Sequence, residues 1–554
     1  MKVLRKAVLR LHLLCVFFAL GSFVWGYNVG ILSSVLVHPG FRRAMGYPTA
    51  SEKGVITGIY YLGTWVSYIF ISHPVSDRLG RRYAALIGII IVAVGTAFES
   101  GVSGPGAYSM MIVGRIISGV GIGMVSTSVP LYQSEVAPAD KRGKYVVLNH
   151  VGFVVGLATG FWVGYAVTFW SDTAYGQYIS WRFSLAINLA PSFIFGAGLP
   201  FLPETPRWLI EHGHDDEALR SLHWLREGSF TNEQIHVELS RIRDDVEEYR
   251  GSGTSWLTLF RDPNLFRRLW RASLLQFMAQ MCGAAAMKYY LPTLLEKLGL
   301  STRIALMAGG IESTLKIGMT VIEMFLIDRL GRRFTLVSGT LTMGFALLIN
   351  GVLGQVYPNN TNRSADIACV VFIFVYALGY SMGFGPAAWV YGSEIFPTAV
   401  RARGLNFSAS GSSIGSIVAA QVWPVGIETI GSNIYFFFMA INFACIPVRW
   451  ICFLAFTSHS LPTFFHLPLP PLAKEGGREH GEKGGFLTHV NTANTPDVQI
   501  ILLFYPETKG VSLEDMDLLF KDQRLPGLHG EERMGEPAGV ISPGPPKPLD
   551  HAAR

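Results

Sequence analysis

The chain runs again and again for about 20 residues with few or no charges, the length a helix needs to cross roughly 30 Å of hydrocarbon. Twelve such stretches can be placed, at about 11–36, 55–75, 84–101, 107–131, 146–169, 181–202, 271–295, 303–327, 335–356, 367–392, 404–428 and 433–456. Inside a bilayer no water satisfies backbone N–H and C=O groups, so only helices and closed barrels span it. These stretches are too long for barrel strands, and the fold they dictate is an all-α membrane protein. Composition agrees, since half of the 554 residues are hydrophobic and 15% are charged, a balance unlike that of soluble domains.

The charges that remain set the orientation. Lys2, Arg5, Lys6 and Arg10, then "DRLGRR" (Asp77 to Arg82), "DKRGK" (Asp140 to Lys144), a second "DRLGRR" (Asp328 to Arg333) and "RAR" (Arg401 to Arg403) fall on one side of a twelve-span chain. The positive-inside rule makes that side, with both termini, cytoplasmic. The same rule accounts for the formal net charge of +6 without nucleic acid. Sequons at Asn359 and Asn362 then face the lumen or exterior, while that at Asn406 stays silent. The first apolar run has no small-residue cleavage site and reads as a retained span. Cys15, Cys282, Cys369, Cys445 and Cys452 lie in or beside apolar runs without paired spacing, which suggests neither a disulfide framework nor a metal site.

Residues 11–202 and 271–520 form two six-span halves, flanking a cytoplasmic linker at 203–270 with charged, amphipathic helical patterns. Residues 1–10 are a cytoplasmic N-terminus. The tail at 521–554, rich in Pro, Gly and charge, is expected to be disordered. "DRLGRR" occurs once per half, and "SEVAPADKRG" from Ser134 is echoed by "SEIFPTAVRARG" from Ser393. Parallel repeats of this kind place a substrate near the bilayer midplane, between halves that rock about it. A third pair, "PETPR" at Pro203 and "PETKG" at Pro506, is wider apart by about fifty residues. The excess falls on a Pro- and Gly-rich stretch, so 449–499 is read as an insertion within or after the last span.

Each "DRLGRR" sets an acid before a glycine turn and arginines behind it: Asp77, Arg78, Arg81 and Arg82, and Asp328, Arg329, Arg332 and Arg333. Such clusters can pair with acids at neighbouring helix ends, among them Glu135 and Glu394, and latch the halves. In the fourth span Gly119 and Gly123 permit close helix approach. Arg115 in that span needs a partner or a watery cavity.

These motifs, with "GR" opening the fourth span, "PETPRWL" after the sixth and "PETKG" after the last, resemble the sugar porter family of the major facilitator superfamily, most closely its fungal members. The resemblance implies alternating-access transport of a monosaccharide or related polyol without ATP, by a monomer in the lipid bilayer, with no cofactor. It assigns to the pocket His150, Gln276, Gln280, Tyr289, Tyr290, Lys316, Trp389, Ser412 and Ser413. Several of these depart from the family pattern: His150 stands where a glutamine is usual, Lys316 where an asparagine is, and Ser412 and Ser413 where Asn-Trp is. Ala279 and Ala285 replace two further amides. The usual hexose pocket is therefore in doubt, and Lys288 with Lys316 leaves an anionic substrate open beside the plain alternative that Lys316 pairs with Glu312 or Glu323.

The position of Asn28, in "WGYNVGIL", resembles an aspartate in the family's proton symporters and an asparagine in its facilitative carriers. An amide cannot titrate, so Asn28 beside Arg115 argues for facilitated diffusion; the membrane expected is the plasma membrane. Proton symport stays open through Glu99, Glu312 and Glu323, and a nutrient-sensing role is the third reading. No nucleophile with a positioned base, metal-spaced ligands or phosphate loop suggests an enzyme.

Overall fold

A computed structural model describes residues 2–138, 142–227, 230–250, 256–358, 361–397 and 400–445, and no β-strand occurs among them. The first half consists of α1 (Lys2–Val37), α2 (Ala50–Leu79), α3 (Arg81–Ser100), α4 (Ala107–Val136), α5 (Arg142–Val167) and α6 (Ala174–Phe201). Four helices follow: α7 (Pro206–Glu211), α8 (Asp215–Arg226), α9 (Asn232–Arg250) and α10 (Trp256–Arg261). The second half comprises α11 (Pro263–Met281), α12 (Ala284–Lys297), α13 (Thr302–Leu330), α14 (Arg332–Val356), α15 (Arg363–Met382), α16 (Phe384–Glu394), α17 (Arg401–Thr429) and α18 (Asn433–Ala444). The remainder of the last span, the suspected insertion at 449–499, "PETKG" and the tail lie outside the described residues.

Two spans of the second half are broken. Gly283 sits at φ +105 between α11 and α12, a conformation that favours glycine because it has no Cβ. Gly383 separates α15 from α16.

Among the described residues, eight helices are long and apolar enough to cross a membrane by composition alone: α1 to α6, α14, and α15 with α16. The paths through α11 and α12, α13 and α17 are more polar, with Gln276, Gln280, Lys288, Glu312, Lys316, Glu323, Ser408 and Ser413 along them. All eight of these side chains are buried. A polar helix can sit at membrane depth only if its polar face turns toward protein or a cavity, so the weakest spans by composition point to the interior.

Lipid offers no hydrophobic drive between helices, and close packing takes its place. A Cβ at Gly26 of α1 would lie 1.8 Å from the Phe153 carbonyl oxygen, and one at Gly156 of α5 would lie 2.1 Å from that of Phe23. The two backbones therefore touch. Gly119 does the same in α4, where a Cβ would fall 2.1 Å from the Tyr60 carbonyl oxygen. The halves meet along α5 with α13 and along α2 with α17.

The repeat of the motif is matched in backbone geometry. Gly80, between α2 and α3, has φ 96 and ψ 165, while Gly331, between α13 and α14, has φ 89 and ψ 155. Between the halves, Leu209, Ile210, Leu222, Ile235, Leu239 and Ile242 build a separate small core for the linker helices. Cys15, Cys282, Cys369 and Cys445 are buried free thiols.

Candidate functional site

Side chains from both halves converge midway along the bundle. His150 of α5 stacks on Phe153 with centroids 5.6 Å apart, Phe153 meets Trp25 at 4.6 Å, and Trp25 meets Trp389 of α16 edge-on at 5.8 Å. A continuous aromatic wall thus runs from the first half into the second. Lys288 of α12 sits over this wall, its Nζ 5.6 Å from the Phe153 ring and 4.9 Å from the Tyr380 ring. Its ammonium donates to Tyr380 Oη at 3.4 Å. His150 Nε2 and Gln280 Oε1 are buried with no hydrogen-bond partner among the described residues.

Lys288 is 8% exposed, and no acidic side chain pairs with it among the described residues. Cation–π contact offers about 0.5–2 kcal/mol, whereas burying an ammonium costs several kcal/mol even after relaxation. The rings alone do not offset the burial. Lys316, one span away, differs: its Nζ lies 2.5 Å from Glu312 Oε1, and Ser313 Oγ donates to Glu312 Oε2 at 3.1 Å.

The other residues expected in the pocket are engaged around this centre. Gln276 Nε2 donates to the Ala388 carbonyl at 3.2 Å, tying α11 to α16. Ser413 Oγ lies 2.7 Å from Thr64 Oγ1 across the two halves, and Ser412 is buried beside it. Toward the end remote from the linker, Tyr289 Oη donates to Tyr61 Oη at 3.1 Å, and Tyr290 Oη to Thr57 Oγ1 at 3.2 Å and the Ala420 carbonyl at 3.0 Å. These two tyrosines join the halves rather than lining the same spot as His150. Phe153, Trp25 and Tyr380, which the sequence did not assign to the pocket, complete the centre.

Arg115 lies fully buried within the first half. Its Nη1 donates to Asn28 Oδ1 at 2.6 Å and stands 3.7 Å from Glu99 Oε2, while its guanidinium covers the Tyr60 ring at 4.2 Å. Glu99 Oε1 accepts from Ser118 Oγ at 2.7 Å. The charge of Arg115 is therefore balanced by Glu99, and Asn28 supplies a neutral acceptor.

At the linker end the first "DRLGRR" forms a network. Arg81 is buried against Glu135 at 3.2 Å, with Asp77 and Glu211 each at 4.0 Å. Glu204 of "PETPR" covers Gly80 and accepts from the Arg82 backbone N–H at 3.2 Å and the Thr205 N–H at 2.9 Å. Burial pushes the Glu204 and Glu211 carboxyls up from their ordinary values, and Arg81 opposes the shift in both. One contact crosses between halves here, Arg403 Nε to Asp77 Oδ2 at 3.9 Å. Arg78 is exposed and makes no ion pair among the described residues. In the second half Glu394 is buried and Arg329 exposed, while the side chains of Asp328, Arg332 and Arg333 lie outside what is described. Surface cavities among the described residues include one of about 510 Å³ near Arg82, Trp208 and Trp224, and one of about 270 Å³ near Arg43, Tyr178 and Arg182. Neither includes a residue of the central cluster, whose groups are packed ring against ring.

A helical bundle of two repeated halves, with buried polar side chains where they meet, defines a transporter of the major facilitator type rather than an enzyme. The chain belongs to the family described as sugar (and other) transporter, whose profile matches residues 14–464. It is 27% identical to the MFS-type transporter criB of Aspergillus cristatus, covering 91% of this chain and 92% of that protein. A probable quinate permease of Aspergillus fumigatus is 26% identical over 94% of this chain and 89% of its own. Sugar transport protein MST3 of Oryza sativa is 28% identical over 78% and 85%. The fold is similar to that of the proton:xylose symporter XylE bound to 6-bromo-6-deoxy-D-glucose, with a TM-score of 0.72 and 20% identity over 92% of this chain and 99% of that one.

Proposed function

We propose that the protein carries a monosaccharide or related polyol across the plasma membrane by alternating access and facilitated diffusion, with both termini cytoplasmic. The observation that carries this reading is the aromatic wall shared by the halves, with His150 and Phe153 from one side and Gln280, Lys288, Tyr380 and Trp389 from the other. Amides and hydroxyls against ring faces suit the hydroxyls and C–H surface of a sugar-like ring. Moving one half against the other would open the site toward one end at a time. The breaks at Gly283 and Gly383 suit that motion, since they free α12 and α16 to tilt separately from α11 and α15.

Facilitated diffusion is favoured by Asn28, which holds Arg115 without a titratable proton. Proton-coupled symport is the second reading, favoured by Glu99 and Glu323, both buried within the bundle. Uptake of labelled hexoses, pentoses, polyols and sugar acids by a transporter-deficient host expressing the chain tests both. Equilibration insensitive to a protonophore supports facilitated diffusion; accumulation that a protonophore collapses supports symport.

A further inference from the structure

We infer that the transported molecule bears a carboxylate, which the Lys288 ammonium binds at the junction of the two halves. The inference rests on the carrier reading above and narrows its substrate to the acid of a sugar or cyclic polyol.

Lys288 is a buried cation that contacts the Phe153 ring and the ring and hydroxyl of Tyr380. Around it, Ala284, Ala285 and Ala286 are fully enclosed and apolar, so this turn of α12 has no other polar side chain to answer the charge. Two other cations buried in the bundle are answered from within the fold, Lys316 by Glu312 and Arg115 by Glu99. An ionisable side chain at membrane depth needs a counter-group, and for Lys288 the described residues supply none. A carboxylate brought by the substrate would supply it.

The neighbours fit such a molecule. Gln280 Oε1 is buried without a hydrogen-bond partner among the described residues and is left to accept from a substrate hydroxyl. His150 Nε2 is likewise without a partner among the described residues and sits close against Gly385, where a Cβ would lie only 2.6 Å away. Phe153, Trp25 and Trp389 supply the apolar ring surface beside these polar groups.

The test uses the full chain reconstituted in liposomes and compares acid with neutral skeleton: D-glucuronate against its methyl ester, and quinate against its methyl ester, each as competitor and as labelled substrate. The inference expects each acid to be preferred over its ester by about tenfold or more. Lys288→Met should bring that ratio close to one, and Lys288→Arg should retain most of it. Equal handling of acid and ester by the wild-type protein overturns the inference whatever the variants do. Transport of D-glucose or D-xylose with no competition from either acid overturns it while leaving the carrier reading intact. Failure to move any of these compounds, acid or neutral, overturns both. A ratio unchanged in a monodisperse, correctly inserted Lys288→Met protein assigns the preference elsewhere and also overturns it.

Discussion

Arg115 Nη1 donates to the amide oxygen of Asn28 at 2.6 Å, although the carboxylate that balances its charge is Glu99, 3.7 Å away on another helix. The arginine is thus held by one neutral and one charged partner, and the neutral one sits on α1, the helix that packs along α5. Helix α1 keeps its hold on Arg115 at any pH, because an amide has nothing to lose or gain.

It follows that substrate flux through the wild-type protein should vary little between pH 5 and pH 8. Asn28→Asp places a second carboxylate against Arg115 and should make flux pH-dependent. Initial uptake rates across this range check the contrast. Asn28→Ala should cost about 1.5–3 kcal/mol, the range for a hydrogen bond to a charged group.

Glu99→Gln leaves Arg115 buried and without a counter-charge. Breaking one partner of a buried ion pair typically costs about 3–5 kcal/mol, so the thermal midpoint in detergent should fall well below wild type. Replacing both partners, as Glu99→Gln with Arg115→Met, should recover part of the loss, because no lone charge then remains.

The α1 and α5 crossing predicts a steric result. Overpacking costs about 1–3 kcal/mol even where side chains can move, and at Gly156 the obstacle is a backbone oxygen at 2.1 Å. Gly156→Val should therefore lower folded yield and thermal midpoint, while Gly318→Ala, where a Cβ meets nothing within 4 Å, should leave both unchanged.

The linker end separates two kinds of ion pair. Arg81 with Glu135 is buried and lies within one half, so Glu135→Gln should destabilise the fold. Asp77 with Arg403 is partly exposed and joins the halves, and such pairs contribute about 1 kcal/mol or less. Its loss should spare stability and instead favour states open toward the linker, since 1 kcal/mol shifts a population about fivefold. Alkylation of a cysteine introduced as Ser126→Cys, which replaces a buried hydroxyl bonded to Tyr68, should be faster in the Asp77→Asn background.

Much of the fold was legible because the bilayer allows so few solutions. The apolar runs located the spans, and the recurrence of "DRLGRR" located matching turns whose glycines, Gly80 and Gly331, have nearly the same dihedral angles. Polar residues in apolar surroundings, such as Asn28, Arg115 and His150, stood out for the same reason. The aromatic half of the central cluster did not: Trp25, Phe153 and Tyr380 are as ordinary in a lipid-facing span as in a site, and only packing distinguishes them. The glycine seam of α5 was written in the sequence, at every fourth position from Gly152 to Gly164, yet its partner helix was not. Pairings distant in sequence, Arg115 with Glu99 or Asp77 with Arg403, required the assembled bundle. The breaks at Gly283 and Gly383 were hidden inside runs that read as continuous.

The central claim, two halves that expose one site alternately, is tested most directly by counterflow. Liposomes holding the full chain are preloaded with an unlabelled compound that it transports and diluted into a trace of the same compound labelled, with no pH gradient. Alternating access predicts a transient overshoot of label inside the vesicles, because returning carriers are occupied by the internal pool and exchange it for external label. A slow monotonic approach to equilibrium, unaffected by preloading, would contradict the account.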